Sequence, residues 1–227
     1  MDRTVELFVR RWRFYCVLSL AAIAVQGAIC LVWRRDIALD VVTSAVLPII
    51  TTVANIQTAL DLRGGELDPR EIFAWALRRL WAVMLIDFVV SFTYIVGFVL
   101  MVHASSIDDA VMGLLTLLLT STLVFADVFA SVELFPSSLL RIPFAFMRSV
   151  ALFWQHGNMV RALAILSFQV AAGLLALMLS DWLTFKHAGS AAFVADVPLG
   201  TLFAAPFAIL TTVVYFDAIA REDEATS

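Results

Sequence analysis

The chain has 227 residues, of which 62% are apolar and 15% charged, and its formal net charge is −4. A soluble domain is about half apolar and a quarter charged, so this composition excludes an ordinary water-soluble fold. The slightly acidic balance excludes an electrostatic binder of nucleic acid, and with no Gly/Ser/Pro linker residues 1–227 read as one integral membrane domain.

A basic, aromatic stretch opens the chain. Residues 4–13 hold Arg10, Arg11, Trp12 and Arg13 and predict an amphipathic surface helix. The first span follows at 14–33. Its 20 apolar residues exceed the roughly 7–15 of a signal-peptide core, so it is expected to be a retained anchor. Cys16 and Cys30 lie on this helix, about 21 Å apart at 1.5 Å per residue. That is too far for a disulfide, and both are expected to be buried free thiols.

The second span, 37–60, is more polar and carries Thr43, Ala54, Gln57 and Thr58 along one face. A second surface helix is predicted at 69–80, where Asp68 supplies the N-cap and Pro69 the first helical position. The third span, 81–102, places Asp87, Ser91 and Tyr94 on a common face. In the fourth, 111–135, Thr116, Thr120, Asp127 and Ser131 fall within about 60° of one another. A third surface helix is predicted at 138–155. The fifth span is 159–185 and the sixth 197–220, with a stripe of Thr201, Ala205, Ala208, Thr212 and Tyr215. Pro48 and Pro206 are expected to kink the second and sixth spans.

The expected fold is therefore all-α, a polytopic bundle of six transmembrane helices with cytoplasmic amphipathic surface helices. Each run of about 20 apolar residues covers the roughly 30 Å hydrocarbon core. Helices are the form that pairs every backbone group within the segment. Twelve Arg residues flank one side, against Arg34, Arg35 and Lys186 on the other. This asymmetry puts both termini in the cytoplasm and the protein in the inner membrane.

Catalytic constellations are absent from the sequence. There is no His-Glu-x-x-His pair, no Gly-x-Ser-x-Gly elbow and no glycine-rich phosphate loop. His103, His156 and His187 are isolated in separate connections and do not make a metal site. No cofactor is expected.

Two sets of residues stand out. Asp87 and Asp127, with Tyr94 and Thr120, form a candidate intramembrane polar site, since acids in spans are costly and face cavities or partners. Arg78, Arg79 and Arg141 are candidate contacts for lipid headgroups, at about 1 kcal/mol each for a cation near an anionic surface.

A third set comes from motifs in the second half. Glu133 ends the fourth span and Phe135-Pro136-Ser137 makes a turn. Arg148-Ser149 marks the surface helix, and Pro206 precedes Tyr215-Phe216-Asp217-Ala218-Ile219-Ala220-Arg221 at the close. Over roughly 125–223 this pattern resembles a bacterial family of six-span membrane proteins of unknown activity. That family includes the YciC-like proteins and the membrane domain fused to some glycerophosphoryl diester phosphodiesterases. Ile219 and Val150 depart from it, standing where the family carries Arg and Trp. The resemblance implies a six-helix bundle without phosphodiesterase activity, which in fused members resides in a separate soluble domain. It also implies an ion-pair cluster of Glu133, Arg148, Asp217 and Arg221, clamping the 138–155 helix to the ends of spans four and six.

The leading functional expectation is a non-enzymatic membrane protein that organises lipids, or a membrane or cytoplasmic protein partner, at the cytoplasmic surface. The alternative is a small transporter or channel-like subunit using Asp87 and Asp127. A membrane-embedded lipid enzyme comes third, weakened by the missing motifs.

Overall fold

The computed structural model describes residues 2–32, 46–133, 138–155, 157–168 and 191–226, with the single positions 171, 175 and 178. Eight helices account for nearly all of them: α1 (Asp2–Val32), α2 (Leu47–Arg63), α3 (Pro69–Val102), α4 (Ile107–Thr122), α5 (Ala126–Val132), α6 (Ser138–Phe153), α7 (Asn158–Phe168) and α8 (Ala191–Thr226). No strand occurs among the described residues.

Among the described residues, three stretches are long and apolar enough to cross a membrane: Pro69–Met101, Ile107–Val132 and Ala204–Asp223. The chain is an all-helical membrane protein. Only 17% of the α3 window is buried inside the protein. Its outer face carries Leu85, Phe88, Phe92, Ile95 and Val99, all exposed, and α4 adds Val111, Leu114, Leu115 and Leu118. An apolar patch of this extent is untenable in water and ordinary against lipid.

The spans expected at 14–33, 81–102 and 197–220 fall within α1, α3 and α8, except for residue 33, which lies outside the described residues. The fourth, 111–135, corresponds to α4 and α5 as far as residue 133. Most of the fifth, residues 37–45 of the second and Thr43 among them lie outside the described residues.

Several local expectations change. The surface helix at 69–80 is not separate, because α3 runs through from Pro69 to Val102 as one helix of 34 residues. At 1.5 Å per residue it is about 50 Å long, so it overhangs a roughly 30 Å apolar core by several turns. Asp68 caps it, accepting from the Arg70 amide at 2.9 Å, with Pro69 in the first turn. Pro48 sits in the first turn of α2, where its missing N–H costs nothing, so it kinks nothing. The break in α1 comes at Arg11, with φ −113° and ψ 17°. Cys16 faces outward rather than into the core, and the Cys30 side chain lies outside the described residues.

The most polar predicted span supplies the centre. Residues 52–59 of α2 are buried on every side, packed by α1, α3, α5 and α8. A helix buried all round has no outward face on which to leave polar groups, so Thr52, Asn55, Gln57 and Thr58 must be accommodated inside. Thr52 and Thr58 hydroxyls donate to the carbonyls of Pro48 and Ala54, four residues back, and Tyr15 Oη meets Thr58 Oγ1 at 3.2 Å.

Glycine sets the closest crossing. α3 and α4 form a hairpin in which Gly97 and Gly113 face each other. A methyl group on Gly113 would lie 2.8 Å from the Met101 amide nitrogen and 3.0 Å from the Gly97 carbonyl oxygen. Because backbone blocks the space, the helices would have to separate. Gly113→Ala is expected to destabilise the protein by about 1–3 kcal/mol and Gly97→Ala by less, its nearest backbone neighbour being 3.1 Å away. Thermal unfolding in detergent checks this, and an unchanged midpoint for Gly113→Ala would contradict the crossing.

Candidate functional site: an acid-lined cavity above a charged bundle end

The four candidate polar residues Asp87, Tyr94, Thr120 and Asp127 line one cavity of about 330 Å³. α3 contributes Asp87, Ser91 and Tyr94 at helical spacing. α2 contributes Thr51 and Asn55, and α8 contributes Phe207 and Thr211. Leu47, Val90, Val124, Val128 and Leu166 make much of the remaining wall apolar, and among the described residues the lining contains no basic side chain. Asp127 Oδ1 is buried and, among the described residues, has no hydrogen-bond partner.

Asp127 lies just after an interruption in the stretch Ile107–Val132. Between α4 and α5, residues 123–125 form a turn. The Val124 and Ala126 amides donate to the carbonyls of Ser121 and Leu123, three residues back. This tightening leaves the Thr122 carbonyl and the Phe125 N–H without their helical partners. Ser149 of α6, fully buried, supplies both: its Oγ accepts from the Phe125 amide at 3.1 Å and donates to the Thr122 carbonyl at 2.7 Å. In an apolar setting each orphan would cost about 1–3 kcal/mol. One hydroxyl from a neighbouring helix therefore makes the interruption tenable.

A polar layer bounds the cavity at Asn55. The Asn55 amide donates to Ser131 Oγ at 3.4 Å and accepts from Thr212 Oγ1 at 3.0 Å. Ser131 Oγ in turn donates to the Asp127 carbonyl at 2.6 Å. Arg79 donates to the Ser131 carbonyl and packs over the Trp75 ring at 5.1 Å. Arg79, expected at the lipid headgroups, is only 5% exposed. Its guanidinium points into the bundle, one residue and 100° round the helix from the exposed Arg78. Arg141 is half-buried.

At the end of the bundle beyond this layer, the four residues of the expected ion cluster are wired differently. Asp217 meets Arg221, one turn away, and Arg161 of α7. Glu133 meets Arg63 at 3.6 Å and accepts from the Tyr215 hydroxyl at 3.3 Å. Arg148 forms a direct pair with none of the expected acids. It holds Glu222 bidentately, with Nη1 to Oε1 at 2.9 Å, and Gln155 adds a third contact at 3.3 Å. The Glu222 hydrogen bonds hold the Arg148 pKa above its ordinary value. α6 is thus clamped to α8, through an acid that composition alone assigns to a solvated tail. A separate pair joins the α1 kink to α2: Arg11 Nη2 lies 2.9 Å from Asp61 Oδ1, and the Asp61 side chain is 2% exposed. Hydrogen bonding to Asp61 holds the Arg11 pKa above its usual value.

Three functional positions escape the stripe analysis. Asn55 lies to the side of the expected stripe of α2, about 100° round the helix from Ala54, although a lone amide amid apolar neighbours is a usable signal. Ser149 is visible only as a motif, and Glu222 only as one of several tail acids. Among the described residues no group of three His, Cys, Asp or Glu is placed to hold a metal ion.

No family model, curated protein or solved structure matches the chain, so its own residues carry the functional argument.

Ser149→Ala is expected to orphan the Phe125 N–H and the Thr122 carbonyl and to cost about 1–3 kcal/mol. Ser167→Ala serves as the control, because the exposed Ser167 bonds only the Leu163 carbonyl of its own helix. Equal unfolding temperatures for the two variants would refute the bridging role of Ser149.

Proposed function

We propose that the chain is a six-span protein of the bacterial inner membrane with both termini cytoplasmic, and that it acts as a small carrier or channel-like subunit handling protons or other cations through Asp87 and Asp127. The observation that carries this reading is the pair of acids on one cavity of about 330 Å³ whose lining, among the described residues, holds no basic side chain. An acid within a span is expensive, and evolution has the cheaper options of Asn or Thr for helix packing alone. The interrupted fourth span points the same way, since irregular backbone at membrane depth is tolerated where it lines a cavity. Twelve Arg residues around the charged end of the bundle support the orientation.

A second reading, organisation of lipid at the cytoplasmic surface, rests on α6. That helix, together with the residue after it, exposes Phe144, Met147 and Trp154 while Arg148 anchors it inward. Such a face suits insertion among headgroups. Arg78 and the exposed Trp81 add to it. The kinship with YciC-like membrane proteins is likewise a proposal, supported here by the structural task of Ser149 in the Arg148-Ser149 pair.

The carrier reading is tested in proteoliposomes loaded with a pH-sensitive dye. The wild-type chain is expected to dissipate an imposed pH gradient when potassium and valinomycin balance charge. Asp127→Asn is expected to slow this at least about tenfold by removing the titratable group while keeping its size. Wild-type vesicles that behave like empty ones, or an Asn variant as fast as wild type, would overturn it.

A further inference from the structure

Resting on the carrier reading, we infer that the occupant of the cavity is a small organic monocation with an apolar body, such as an aryl-alkyl ammonium, taken up in exchange for a proton. Three features of the lining lead there. The first is volume: about 330 Å³ is at the lower end of the roughly 300–1,000 Å³ of small-molecule sites. It is far more than a bare ion needs.

The second is donor chemistry. A hard metal cation takes about six or more oxygen ligands at close range. Here two carboxylates stand beside scattered hydroxyls, and most of the wall is apolar. Among the described residues the lining also has no cation to receive an anionic ligand. A quaternary or protonated amine asks for less: one carboxylate opposite its charge and an apolar or aromatic surface for the rest.

The third is aromatic placement. Tyr94 and Phe207 line the cavity from α3 and α8, with Leu166 from α7. Ring faces attract organic ammonium groups, more strongly when water is excluded. Asp87 and Asp127 together with these rings supply the two kinds of contact that such a ligand asks for.

Exchange follows from charge balance. A net charge against an apolar wall is compensated by a proton or by a bound cation. Among the described residues, the titratable groups on the lining are Asp87 and Tyr94 from α3 and Asp127 from α5, while α2, α4, α7 and α8 contribute none. Arg79 is engaged at the carbonyl of Ser131, one helical turn beyond Asp127 on α5. Arrival of one monocation therefore releases one carboxyl proton to the medium, and departure takes one back.

The test uses the purified full chain in a neutral maltoside detergent and weak buffer. The probe is benzyltrimethylammonium, and the control is its neutral isostere 2,2-dimethylpropylbenzene. The expected result is saturable binding of the cation by calorimetry, with about one proton released per cation, and no release by the isostere. Asp87→Asn and Asp127→Asn are each expected to weaken binding at least about tenfold, since each removes a desolvated charge partner. The ligand comparison on the wild-type protein stands even if a variant does not fold. Binding of the isostere with equal affinity, or equal proton release by sodium or potassium chloride, overturns the organic-cation assignment. Proton flux in vesicles without any binding of the ammonium probe overturns the ligand class and leaves the carrier reading intact. Loss of both overturns both.

Discussion

Backbone groups freed inside a membrane find no water, and this is the constraint on which the arrangement of the bundle turns. The fourth apolar segment is interrupted at residues 123–125, and the groups freed there find partners inside the protein. The turn tightens to pair the Leu123, Val124 and Ala126 amides locally, and Ser149 meets the Phe125 N–H and the Thr122 carbonyl. Because of that replacement, Asp127 sits in the first turn of a separate short helix and lines the cavity with Asp87. Without it, a continuous fourth helix would be the cheaper structure.

The centre of the bundle shows the same economy in side chains. α2 is surrounded by other helices, and its polar groups are distributed between two uses. Thr52 and Thr58 donate back to their own helix, which is the inexpensive solution for a buried hydroxyl. Asn55 has no such option, and it reaches across to Ser131 and Thr212 instead. That reach ties the second, fourth and sixth apolar segments at one level, beside the cavity. Charged pairs are kept to the far end, where Asp61, Glu133, Asp217 and Glu222 each hold an arginine. Isolated exposed pairs contribute little. Arg11–Asp61 differs because its acid is almost fully covered, so loss of the arginine would strand a buried charge.

On the unbroken helix α3, the polar face was readable from spacing alone. Asp87, Ser91 and Tyr94 share a face by simple rotation, and all three line the cavity. The stripe of the fourth segment carries across the interruption at residues 123–125, but not to its far end. Thr120 and Asp127 line the cavity, while Ser131, assigned to the same stripe, is buried in the layer beside it. The pairing of charges was least legible. Arg78 and Arg79 are neighbours in sequence and look equivalent, but one faces out and the other is committed to a backbone carbonyl inside. Glu222 belongs by composition to an acidic tail, and only the proximity of α6 to α8 turns it into the partner of Arg148. Such choices depend on which helices become neighbours, and no local pattern encodes that.

Arg148 and Ser149 are consecutive residues of one helix, about 100° apart around its axis. One grips the closing end of α8, and the other grips the interruption of the fourth segment. Side chains on adjacent positions of a rigid helix cannot be displaced independently. α6 is in effect a yoke: a pull on the tail at Glu222 is transmitted within one residue to the turn that sets where Asp127 stands.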